Sequence, residues 1–165
     1  MRNLFLFAFM LVASVAQSQV VIENRTVHED AYEIAEIIAK NILDIDTLTL
    51  IIIDLPKSST LLGAVVKNKV EPHAYVMLLN STLSVKALRL TMSHEFVHIK
   101  QYEDEGLEIF GDIWAWNPDN RKPKQGETWG SMTFTGYEAR EFELDAQRRE
   151  IIVNKKLLKI IKSNK

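Results

Sequence analysis

Residues 80–103 constrain this chain more than any other stretch. Asn80 to Ser84 is rich in residues that cap helix starts. The sequence therefore predicts a helix from there to about Glu103, with the apolar stripe Val85, Leu88, Met92, Phe96 and Ile99. The same helix carries His94-Glu95-Phe96-Val97-His98. At about 100° per residue, His94 and His98 share a face nearly opposite the stripe, with Leu90 and Val97 close by. A helix apolar on several sides is buried, so the rest of the chain must wrap around it and the histidines must face another element. Two imidazoles four apart can share one metal ion, and Glu95 sits where it can reach a water on that metal. The pattern supplies two ligands and a base.

The third ligand must come from elsewhere. His28 and His73 are the other histidines, and both precede the motif. With zero cysteines, a zinc site must be built from histidine and carboxylate, and disulfides are excluded. Downstream lies Glu138-Ala139-Arg140-Glu141-Phe142-Glu143-Leu144-Asp145. Glu141 and Asp145 are four apart and share a helix face. Glu141 is the expected third zinc ligand, and Asp145 the acceptor for the far N–H of a ligand histidine. Glu138, one turn before Glu141, is the rival ligand, but it has no acid four positions later.

At 165 residues the chain suits one domain with a proper core. A formal net charge of −2 gives no reason to expect a nucleic-acid partner. Residues 1–18 resemble a secretory signal: Arg2, the apolar run Leu4 to Val12, then small residues. Ser14-Val15-Ala16 is one candidate cleavage site and Ala16-Gln17-Ser18 the other. The run is too short for an ordinary membrane span, so an exported chain is expected, periplasmic or secreted, with residues 19–165 as its single domain.

That domain is expected to open with an amphipathic helix, begun by a Thr26/Glu29 capping box and carrying Ala31, Ile34, Ala35, Ile38 and Ile42. Leu48 to Ile53 and Leu61 to Val66 are expected strands, and His73 to Leu79 a third, with Pro72 suggesting a sheet edge. Residues 106–135 hold Trp114, Trp116 and Trp129 and suit a long loop with a short helix at Leu107–Ile113. A long helix follows from Tyr137, with Phe142, Ala146, Val153, Leu157 and Ile160 at helical spacing. Its basic end suits a solvated helix terminus better than a membrane binder.

The helix with His94, Glu95 and His98, followed by a second with Glu141-x-x-x-Asp145, resembles the gluzincin metallopeptidases, and the small size the minigluzincins in particular. The resemblance covers roughly residues 45–150. It implies an α+β, zincin-like fold with an N-terminal helix, a sheet of about three strands, the histidine helix and a long C-terminal ligand helix. It implies Zn2+ on His94, His98 and Glu141, Glu95 as general base and Asp145 behind the ligands. It also implies an edge strand that holds a peptide substrate in extended form, for which His73 to Asn80 is the candidate. Related enzymes often steady the oxyanion with a Tyr or His; Tyr137 is nearest the ligand helix but is not assigned.

The expected activity is zinc-dependent hydrolysis of peptide bonds in a peptide or protein substrate. The alternative is a zinc-binding, catalytically inactive or immunity-like module on the same fold, against which Glu95 speaks because a structural site does not need it. A third possibility makes the Trp-rich loop a lid over the cleft.

Overall fold

The computed structural model describes residues 19–110, 113–116, 130–131 and 140–164. The signal-like segment 1–18, Glu138, Tyr137, Trp129 and most of the expected lid lie outside them.

Among the described residues the chain is α+β, with three helices and a mixed four-stranded sheet. The strands are β1 (Gln19–Asn24), β2 (Thr47–Asp54), β3 (Gly63–Lys67) and β4 (Ala74–Leu79). Their order is β1-β2-β4-β3; β1, β2 and β4 are parallel and β3 is antiparallel to β4. Helix α1 (Ala31–Ile37) widens into a π turn at Ile38–Ile42. Helix α2 is Val85–Asp104 and helix α3 is Glu141–Ser163. A small antiparallel sheet joins β5 (Glu108–Phe110), β6 (Ile113–Ala115) and β7 (Gly130–Ser131).

The pleat explains the core. Leu48, Leu50 and Ile52 alternate along β2 and are buried, while Thr49, Ile51 and Ile53 on the other face are half-buried. The buried row packs with Met77 and Leu79 of β4, the α2 stripe Leu88, Met92, Phe96 and Ile99, and Ala146, Val153 and Leu157 of α3. Each fully buried aliphatic side chain contributes about 1.5–3 kcal/mol. As the expected stripe required, α2 is buried on several sides.

Both ends of α2 follow from its sequence. Ser84 is extended, and its side chain accepts from the Ala87 N–H. At the other end Gly106 takes φ 63°, and the Leu107 N–H returns to the Gln101 carbonyl at 3.0 Å. The chain then leaves the helix toward β5.

Four expectations need correction. Gln19–Asn24 is a strand, so the described residues open on β1 rather than on a helix. The Thr26/Glu29 capping box does not form: Thr26 Oγ1 donates to Asn24 Oδ1 and accepts from the His28 N–H in a local turn, and α1 starts at Ala31. The described residues of Leu107–Ile113 do not form a helix, because Glu108–Phe110 and Ile113–Ala115 pair as strands. His73 to Asn80 is not an edge strand; the edges of the four-stranded sheet are β1 and β3. Strand β4 begins at Ala74, beyond Pro72, so the proline costs the ladder no donor and β4 can sit between β2 and β3.

Candidate metal centre

His94 and His98 lie on adjacent turns of α2, and their Nε2 atoms are 3.1 Å apart. Glu143, in the first turn of α3, places Oε2 3.3 Å from each of them. In a tetrahedral zinc site with bonds of about 2.0–2.1 Å, neighbouring ligand atoms are about 3.3 Å apart. The three atoms thus form one face of a metal-sized tetrahedron, and these residues could hold a metal ion. His98 and Glu143 are buried and His94 is half-buried.

The acid in this group is Glu143 and not Glu141. Glu141 is exposed at the first position of α3 and is not part of the group. Residues two apart on a helix diverge by about 200°, so α3 can present only one of the two to α2. The other histidines lie elsewhere. His28 Nε2 is 2.9 Å from the Asn80 carbonyl oxygen, and His73 pairs with Glu103.

The far nitrogens are held just as firmly. His94 Nδ1 lies 2.8 Å from Glu150 Oε2, two turns along α3 from Glu143. His98 Nδ1 lies 2.8 Å from Gln101 Oε1. Gln101 is fully buried, and its Nε2 donates to the Phe142 carbonyl and to Asp145 Oδ2, both at 2.9 Å. Those two acceptors fix the amide orientation, since only the NH2 end can face them. The Gln101 oxygen must then accept from His98 Nδ1–H, which leaves the His98 Nε2 lone pair for a metal. The Glu150 carboxylate does the same for His94.

Asp145 therefore takes a different place from the one expected. It contacts no ligand histidine directly and reaches His98 only through Gln101. It also accepts from Arg149 Nη1 at 3.0 Å, which in turn contacts Glu105 at 2.6 Å. The sequence reading missed Glu143, Glu150 and Gln101. One signal was available: Glu150 interrupts the apolar run Ala146, Val153, Leu157 on its own buried stripe.

Glu95 is 5% exposed and faces the same cleft. Burial raises its pKa and the two histidines pull it back, with a net rise. For His94 burial acts downward, but Glu143, Glu95 and Glu150 outweigh it and raise the pKa to about 9. Space for the Glu95 carboxylate comes from Gly63 at the start of β3. A Cβ there would lie 2.5 Å from Thr91 Cγ2 and 3.0 Å from Glu95 Oε1.

The cleft over the centre is a cavity of about 160 Å³ whose lining includes Ala64, Val65, Glu95, His98, Arg140 and Glu143. Tyr102, one turn beyond His98, also lines it. Burial first, then Glu143 and Glu95, raise its pKa to about 12, so its hydroxyl keeps its proton. No helix among the described residues is long and apolar enough to cross a membrane. No protein-family model matches this chain, and comparison with curated proteins and with solved structures gives no match.

Proposed function

We propose that this chain is a zinc metalloendopeptidase of the gluzincin type, small like the minigluzincins. The observation that carries the reading is the triangle of His94 Nε2, His98 Nε2 and Glu143 Oε2, with a buried Glu95 beside it. Two neutral imidazoles and one carboxylate are the donor types of catalytic zinc, and the absence of thiolates does not weaken the fit. A zinc ion held there would supply Lewis acidity, polarising a carbonyl and lowering the pKa of a coordinated water toward about 7.

The protein's own part is to hold protons and orient groups. Glu95 accepts the proton of the attacking water and returns it to the leaving amine. Its burial strengthens its hold on that proton, and the neighbouring histidines keep the carboxylate form accessible. Glu150 and Gln101 hold the imidazoles with Nε2 facing inward. Edge strand β3 runs along the cleft and offers an extended peptide a row of backbone groups. The leader-like residues 1–18 suit an exported enzyme, periplasmic or secreted.

The test uses the zinc-loaded chain and a panel of unfolded proteins. Wild type should cleave members of the panel. Glu95→Gln should retain its zinc and lose turnover about 100- to 10,000-fold. Undiminished hydrolysis by that variant removes Glu95 as base. No cleavage by wild type under any condition leaves a zinc-binding module without peptidase activity.

A further inference from the structure

The cleft does not end at the metal centre. A second cavity, of about 590 Å³, continues from it and shares Val65, Tyr102, Leu107 and Ile109 with the first. It runs along the second half of β3 and into the turn that follows, where its walls include Lys67, Lys69 and Glu108. The apolar part lies next to the catalytic residues and the cationic part lies farther out.

Lys67 is half-buried, and its ammonium is already held in place. Its Nζ stands 5.7 Å from the centre of the Tyr102 ring and 3.4 Å from the Tyr102 carbonyl oxygen. An ammonium has three N–H donors, and this long contact occupies one. Among the described residues Lys67 and Lys69 have no carboxylate partner, and the cavity's acid, Glu108, pairs with neither. A cation fixed over a ring gives up little rotamer freedom on binding, so an incoming anion meets a prepared partner.

We propose that this outer cavity is a carboxylate subsite, and that the enzyme prefers peptides carrying a carboxylate two to four residues from the bond cleaved. The proposal rests on the peptidase reading above. The distance follows from strand geometry. Gly63 abuts Glu95, and Lys67 lies four residues along the same strand. At about 3.3 Å per residue that is about 13 Å from Gly63, and about 7 Å from Val65. An extended peptide beside β3 spans the same distance in two to four of its own residues. The carboxylate can belong to an Asp or Glu side chain or to a free C-terminus, because the ammonium contacts the same group in both.

The experiment uses the zinc-loaded full chain and a set of peptides with one common cleavable segment. Glu, Gln or Lys is scanned through positions two to five on either side, each peptide with a free or amidated C-terminus. At one position kcat/KM should favour Glu over Gln by about tenfold, the scale of one partly desolvated charge pair. An effect that follows amidation instead assigns the subsite to the terminal carboxylate. In Lys67→Met the ratio should fall toward one, and in Lys67→Glu it should favour Lys. Cooperative melting and zinc content check that the variants fold. Discrimination that is absent, or that survives in Lys67→Glu, overturns the subsite. Binding of the same peptides to zinc-loaded Glu95→Gln, measured by fluorescence anisotropy, separates the two claims. If nothing is cleaved but a Lys67-dependent charge preference persists in binding, the peptidase reading fails and the subsite stands. If binding shows no charge preference, the subsite fails whatever the turnover.

Discussion

Helix α2 and the first turns of α3 both contribute to the candidate metal centre, but they do so in different ways. On α2 the two candidate ligands are a local pattern: His94 and His98 are one turn apart, and the helix geometry brings their nitrogens together without outside help. On α3 the contribution depends on docking. Glu143 reaches the cluster because of how α3 lies against α2, and Glu150 reaches His94 from two turns away. Half the site is therefore set by spacing within one helix and half by the rotation of its neighbour.

The two halves can be separated experimentally. The largest effect is expected on α3 itself. Glu143→Ala should weaken zinc binding by more than about 100-fold, beyond the cost of losing an outer partner, while Glu141→Ala should leave affinity unchanged. Competition with a chelating dye measures both. Equal losses at 141 and 143 would mean that α3 docks in another rotation.

Glu150→Gln should cost about 10-fold in zinc affinity at pH above 9, because it replaces the charged acceptor that orients His94 with a neutral amide. The pH dependence gives a second handle. Without metal, Glu143, Glu95 and Glu150 keep His94 protonated up to about pH 9 despite its burial, and zinc must displace that proton. Affinity of wild type should thus rise with pH until about 9. In Glu150→Gln the rise should level off at lower pH, so the two titration curves converge on the acid side.

The smallest effect concerns how each helix starts. Ser84 caps α2, whereas Arg140 at the start of α3 makes no side-chain cap hydrogen bond. Ser84→Ala should destabilise the fold by about 1 kcal/mol in urea unfolding, with zinc affinity unaltered.

What could be read in advance follows the same division. The α2 helix, its cap, its stripe and its three motif residues were legible because each depends on neighbours a few positions away. So were β2 and the body of β4, both runs of β-branched and apolar residues. Strand β1 was not legible. Gln19–Asn24 is a short, half-buried alternation beside the leader-like segment, and its partner Thr47–Ile52 lies far along the chain. Glu141 and Glu143 flank Phe142 at about 100° on either side, so the apolar stripe could not choose between them. The pairing of Glu141 with Asp145 followed a four-residue rule. The structure uses a seven-residue one, Glu143 with Glu150, and gives Asp145 to Gln101. The edge strand was misassigned because Pro72 was taken to sit at the very start of a strand that begins two residues later.

Gly63 has one more consequence. A missing methyl group lets the first residue of the outermost strand lie directly on the carboxylate of Glu95. Strand and carboxylate are thereby indexed to each other, so any chain aligned along that strand would be in phase with Glu95. A single added carbon at position 63 would have to push Thr91 or Glu95 aside, or lift the strand off the helix, and so break that registration.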